Sequence, residues 1–333
     1  MKLNRKVLKA AEFKDLVWVN HEPLTLSKLR GRIVLVNFWD YTFHACLRTI
    51  TYLKVWHGRY KDKGLVVIGV HAPEFPFGHK KENVTRAIED LGIDYPVAMD
   101  NKFTLWRAFS NHYWPSEYLI DSEGYLADYH LGGGGFQNFE ISIQELLREL
   151  DPHIVLPRPI EPLNPEDRDD VQLKSVTPDI YFGFRRGRIG NEEGFVPYEV
   201  VDYKRPARIA KDMYHAVGRW RNLPDALEAA GEGIAEIVLS YEAQAVAVVV
   251  EPGTQGEQYF EVYQDGTPVK PWKEHEDVVL ADGKSIVRVD YPRLYYIVKN
   301  PHSGPHILTF KTPSKGLRFY SINFIPEVIG PSV

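Results

Sequence analysis

The sequence has a single cysteine, Cys46, in 333 residues. One thiol forms no intramolecular disulfide, so the fold does not depend on an oxidising compartment. Long hydrophobic runs are missing too: no window approaches the roughly 18 apolar residues that span a bilayer. The N-terminal MKLNRKVLKAAEFKDLVW is basic but lacks the apolar run of a signal peptide. Charge of one sign is absent, since 40 basic and 45 acidic residues leave a formal net charge of −5. That balance excludes any strong field for nucleic acid or an anionic membrane. A soluble cytoplasmic protein is the simplest expectation; removal of a leader from a longer precursor is the extracytoplasmic alternative.

What the chain does have is a 44% hydrophobic fraction and 26% charge, enough to bury a core, at a length that favours about two domains. From 33 to 150 strand and helix signals alternate. IVLVNF (33–38) and LVVIGVHA (65–72) are apolar runs of the kind covered on both faces. Between them Ile50, Leu53, Trp56 and Tyr60 recur at helical spacing over 46–62, and Gly64 closes the helix. A helix over 80–91, a strand at 95–99, a helix near 102–110, a hairpin turning at Ser122-Glu123-Gly124 and a helix over 138–150 complete the unit. This order predicts an α/β domain with a mixed sheet over 1–150. Residues 151–178 carry six prolines and no apolar period, which predicts an extended linker. After it every signal is strand, with turn residues every 8–12 positions, and 179–326 reads as an all-β, jelly-roll-like sandwich.

Several stretches then carry a family resemblance: NFWDYTFHACLRT (37–49), GLVVIGVHAPEF, YPVAMDN, YWPSEYLIDSEG, and past the linker TPDIYFG, GRW and KGLRFYSINF. The first half resembles thioredoxin-like proteins of TlpA/ResA type within the AhpC/TSA redoxin group. The whole resembles the C-terminal soluble region of DipZ-type proteins, a thioredoxin-like domain joined to a carbohydrate-binding-module-like β-sandwich. The resemblance implies thiol-disulfide exchange at W-x-x-x-C-x-x-C, with the first sulfur a thiolate at a helix N-terminus. That thiolate attacks a disulfide and the second cysteine resolves the product. Aligned here, Trp39 is kept, Phe43 holds the attacking position, His44 and Ala45 follow, and Cys46 holds the resolving one. Trp114-Pro115 matches the cis-proline whose backbone pairs with extended substrates, Glu74 an acidic residue that assists proton transfer, and Arg48 the C-x-R arginine. A benzyl group cannot attack sulfur, so dithiol exchange is expected to be lost.

Each candidate has a second reading. Cys46 is either a lone reactive thiol or a small buried residue under the helix. A peroxidase pairing with Thr42 suffers from a spacing of four, not three. His44 beside Cys46, with His57, His71 and His79, raises a metal site, but binding needs three or four convergent ligands; no metal and no cofactor is expected. Gly132–Gly135 lacks the Lys-Ser/Thr sequel of a phosphate loop and reads as a flexible connection. Tyr181, Phe182, Trp220, Tyr259, Tyr263, Trp272, Tyr291, Tyr295 and Tyr296 are either sandwich core or a sugar-stacking surface, Trp272 being the one expected at the surface. Three functions remain open: a non-catalytic protein or peptide binder at the cis-proline groove, a single-thiol redox enzyme through Cys46, and a structural or glycan-binding protein acting through the sandwich.

Overall fold

The computed structural model describes residues 7–168, 170–254 and 257–330; residues 1–6, with which the expected first domain begins, lie outside the described residues. The chain divides into two compact units after Val171.

The first unit is built on a six-stranded mixed sheet: β1 (Val17–Trp18), β2 (Ile33–Trp39), β3 (Leu65–His71), β4 (Val97–Met99), β5 (Ser116–Ile120) and β6 (Leu126–Leu131), in spatial order β1-β4-β3-β2-β5-β6. β2, β3 and β4 run parallel, and β5, β6 and β1 are antiparallel to their neighbours. Every residue of β2 is buried, which is why its run is apolar without alternation. Val34, Val36 and Phe38 pack with Ile68, Val70, Trp106 and Phe109 on one face. Asn37 and Trp39 point to the other, under α1 (His44–Tyr60) and α4 (Phe136–Leu150). The shorter α2 (Lys81–Asp90) and α3 (Thr104–Ala108) join β3 to β4 and β4 to β5. The two-residue β1 lies outside the sequence-predicted elements; it is too short to carry a period. The helix expected over 46–62 starts two residues earlier, at His44, which places Cys46 in its first turn.

Residues 151–168, expected as part of a linker, lie along α1 and α4. Gln144 donates to the Pro157 carbonyl at 2.9 Å, Glu140 accepts from the Ile160 N–H at 2.7 Å, and the Tyr52 hydroxyl accepts from the Leu163 N–H at 2.7 Å. Tyr52 in turn donates to buried Asp167 at 2.7 Å. The stretch is extended because its prolines suit neither helix nor central strand, and its backbone satisfies polar groups that the helices bury.

The second unit is all-β: β7 (Gln172–Leu173), β8 (Ile180–Tyr181), β9 (Val200–Tyr203), β10 (Tyr214–Asn222), β11 (Leu227–Ala229), β12 (Ala235–Glu251), β13 (Tyr259–Gln264), β14 (Thr267–Pro268), β15 (Val278–Ala281), β16 (Lys284–Arg288), β17 (Arg293–Thr312), β18 (Arg318–Ile325) and β19 (Val328–Ile329). Eleven of these join one sheet, and β7 pairs with β19. Sequence reading split IAEIVLSY from QAVAVVVEP, and LYYIVKN from HILTFKTP. The structure joins each pair into one long strand, β12 and β17, paired along both halves across a bulge at Ala243–Ala245. The bulge changes which residues face inward: Ile237, Leu239 and Tyr241 supply the core before it, Val246, Val248 and Val250 after it. The pairings close a circuit, from β12 to β10, to β11, to β18 and back to β12, around Phe182, Tyr214, Trp220 and Phe319.

Candidate functional site: the turn at the start of α1

β2 ends at Trp39 and delivers the chain into a turn that opens α1 at His44. Buried Asp40 fixes that turn. Its carboxylate accepts from the Thr42 N–H at 2.7 Å, from the Thr42 hydroxyl, and from the Glu74 N–H at 2.8 Å, tying the turn to the loop after β3. Thr42 therefore spends its hydroxyl on Asp40. At the helix N-cap stands Phe43, whose side chain has no oxygen to cap with, and the Cys46 and Leu47 N–H groups turn back to its carbonyl at 2.9 and 3.2 Å. Phe43, His44 and Ala45 are half-buried, whereas Trp39 and Cys46 are fully buried.

The position of Cys46 at a helix N-terminus favours a thiolate, yet burial outweighs it and pushes the thiol well above its ordinary pKa. A hydrogen bond from the Asp40 backbone lowers it, and the carboxylates of Asp40, Glu117 and Glu74 raise it further. At neutral pH Cys46 is a protonated thiol that solvent does not reach. Nucleophilic sulfur chemistry needs an accessible thiolate, and this geometry withholds both conditions.

His71, on β3 opposite Trp39, is buried with neither ring nitrogen hydrogen-bonded. It stacks on Tyr41 at 5.3 Å, meets the edge of Trp39 at 5.3 Å, and has Asp40 Oδ2 3.5 Å from Nε2. Burial lowers its pKa to about 3, so the ring is neutral. His79 lies near enough to act on it electrostatically, but among the described residues no three His, Cys, Asp or Glu side chains are placed to hold a metal ion.

The Trp114–Pro115 peptide bond is cis. The Trp114 indole donates to the Ala72 carbonyl at 3.1 Å and packs on Trp106 at 4.5 Å, and the Gly132 N–H donates to the Pro115 carbonyl at 2.9 Å. Among the described residues, the backbone N–H and C=O of Trp114 have no hydrogen-bond partner. Arg48, half a turn beyond Cys46, reaches Glu166 at 3.3 Å and Asp167 at 3.1 Å. It also explains Gly133, since a Cβ there would lie 1.9 Å from the Arg48 guanidinium. The Gly132–Gly135 turn thus packs on the helix that carries Cys46.

Sequence reading missed the buried pair Asn37 and Glu117, whose side chains meet at 2.8 Å beneath α1. Burial raises the Glu117 carboxyl well above its ordinary range. The one available signal was a glutamate inside the otherwise buried strand SEYLI.

In the second unit, Phe182, Trp220 and Tyr295 are fully buried in the core and Tyr291 and Tyr296 nearly so, while Tyr181, Tyr259 and Tyr263 are half-buried. Trp272 is half-buried as well: His275 lies 4.5 Å and Tyr296 5.3 Å from its ring, and Lys299 sits 5.2 Å over its face.

Residues 8–129 match the AhpC/TSA family, and residues 177–324 match a family described as thioredoxin like C-terminal domain. Protein DipZ of Mycobacterium tuberculosis is 33% identical over 92% of this chain, which spans 41% of that relative's length. The thiol-disulfide oxidoreductase ResA of Halalkalibacterium halodurans is 28% identical over 34% of this chain and 61% of its own. A putative thiol:disulfide interchange protein DsbE from Chlorobium tepidum, a solved structure, aligns at 22% identity over 42% of this chain and 96% of its own, with a TM-score of 0.38. Among the described residues no helix is long and apolar enough to cross a membrane. The two family models thus fall one on each unit, and with the mixed sheet and the cis Trp114–Pro115 bond the first unit has a thioredoxin-like fold, similar in sequence to the AhpC/TSA family, followed by a strand-rich C-terminal region.

Proposed function

We propose that the first unit binds an extended segment of protein or peptide along the cis-proline groove without exchanging disulfides. The observation that supports this reading is a withdrawn sulfur in a unit whose cis-proline backbone is left without hydrogen bonds. Cys46 is buried and protonated, and the half-buried Phe43 stands where attack would start. In the same unit the Trp114 N–H and C=O have no hydrogen-bond partner among the described residues, as an added strand of substrate requires. Phe43 then serves as an apolar contact, and Trp39 and Asp40 hold the turn in shape. Burial of Cys46 argues against the single-thiol enzyme, because a thiol without access meets neither peroxide nor disulfide.

Reduction of insulin disulfides under dithiothreitol tests the lost exchange. The native chain should run at the uncatalysed rate, and Phe43→Cys, which restores an exposed sulfur ahead of Cys46, should exceed it at least tenfold. Catalysis by the native chain would overturn the reading. Binding is tested on an array of immobilised extended peptides, where Phe43→Ala should weaken capture roughly tenfold, the loss of about 1.4 kcal/mol of apolar contact. Equal capture by the native and Phe43→Ala chains would sink the groove as the binding site.

A further inference from the structure

Exposed apolar side chains gather at one place in the first unit. Leu8, Tyr113 and Leu131 are 58%, 59% and 40% exposed, and all three line one cavity of about 250 Å³. Its other walls are Phe109, Tyr118, Leu126 and Tyr129, on the face of the sheet away from α1. Tyr118 meets Phe109 edge-on at 5.1 Å and stacks on Tyr129, its partner in register, at 6.3 Å. Of the described residues that line the cavity none is Asp, Glu, Lys or Arg, so a charged group would lose its water there with no counter-charge in return. The outer wall is fixed in place. Ser110 sits in the left-handed region at φ +51°, which a serine adopts only when its surroundings impose it. Buried Asn111 accepts from the Tyr118 hydroxyl and donates to the Tyr113 carbonyl, both at 3.1 Å. Exposed apolar residues around an apolar cavity mark a binding site. The cavity also adjoins the cis-proline backbone: Tyr113 precedes Trp114 in the chain, and Leu131 pairs with Ser116 and precedes Gly132, whose N–H donates to the Pro115 carbonyl.

We infer that this cavity receives an aromatic side chain, tryptophan before the others, from a segment bound along the cis-proline. The role rests on the peptide binding proposed above and names the residue that such a peptide must carry. An extended chain advances about 3.3 Å per residue, so a residue one or two places along from the one paired with Trp114 brings its side chain to the opening. Size selects that side chain. A cavity of about 150 Å³ holds one benzene ring, so 250 Å³ takes the two rings of an indole, whereas a lone aliphatic side chain would leave walls without contacts. The aromatic walls favour a ring, which can meet them edge-to-face or offset. Their neutrality excludes Asp, Glu, Lys and Arg of the peptide from the same place. Phe43 is not among the residues that line the cavity, so the two apolar contacts are separate.

Two kinds of fluorescently labelled peptide test this on the full chain: extended peptides with a single tryptophan walked along the sequence, and the same peptides with alanine in its place. At one position the tryptophan peptide should bind at least tenfold tighter than its alanine counterpart, as burial of a large apolar side chain gives. Leu131→Asp puts a charge at the opening on an edge strand, and Tyr113→Ala removes the outer wall. Each should bring that ratio close to one while the alanine peptide binds as before. Phe43→Ala should weaken both peptides alike and leave the ratio unchanged. Equal binding of both peptides at every position would overturn the cavity as a subsite and leave the groove standing. A tryptophan preference that survives in both cavity variants places the ring elsewhere and overturns it too. Binding of neither peptide would overturn the groove, and the subsite with it.

Discussion

A chain ending at Leu150 should fail to hold the first unit folded at 37 °C, whereas one ending at Asp170 should hold it. The cut removes the Pro157 carbonyl, the Ile160 and Leu163 N–H groups, and the Glu166 and Asp167 carboxylates. It strips partners from buried Gln144, Glu140 and Tyr52, and both acids from Arg48. Each buried group left unpaired costs about 1–3 kcal/mol, so four of them amount to roughly 4–12 kcal/mol. Domains of this size have about 5–15 kcal/mol in all. Thermal unfolding of the two chains checks this, and equal midpoints would show the segment to be a passive tail. In the intact chain Tyr52→Phe isolates one link: Asp167 and the Leu163 N–H lose the hydroxyl between them, for about 1–3 kcal/mol.

The second large effect is acid lability through His71. Its ring stays neutral in the folded state down to about pH 3, while in the unfolded chain it protonates near 6.5. Between those values the unfolded state binds the extra proton, so stability falls as pH falls through this window, at up to about 1.4 kcal/mol per pH unit. Asp40 from the turn, Tyr41 stacked on the ring and His79 from the following loop are the titratable neighbours. Asp40 and Glu117, both raised by burial, run the other way: their contributions are fully present below the unfolded pKa and fade as pH rises through the folded one. Urea unfolding of the native chain and of His71→Phe between pH 7 and 4.5 separates these. The native chain should lose about 2–3 kcal/mol more than the variant over that range. Parallel curves would mean that His71 takes up its proton without opening the site.

Much of the first unit was legible because its strands are buried on both faces and therefore read as unbroken apolar runs. The turn was legible because Trp39, Cys46 and Trp114-Pro115 keep their spacing around Phe43. The docking of 151–168 left no trace in the sequence, since what binds there is mostly backbone, and a carbonyl at Pro157 looks like any other. The Glu117–Asn37 pair was hidden for a related reason: it joins residues eighty positions apart, and only the strand register places them together. In β12 the bulge shifts the inward face from odd to even positions, so its alternation read as two strands when it belongs to one.

The circuit of strand pairings has a temporal consequence. β18 is the member that closes it, pairing with β11, β12 and β8, and it follows all of them in the chain. A ribosome-bound chain must therefore hold β8 to β17 in an unfinished state, with the apolar side of Val246, Val248 and Val250 uncovered along one edge, until residues 318–325 emerge. Contacts that join residue 180 to residue 322 close very long loops, which makes folding slow relative to synthesis. For this unit the hazardous interval is the one before completion, when an exposed valine-rich edge is a template for pairing with a neighbouring nascent chain.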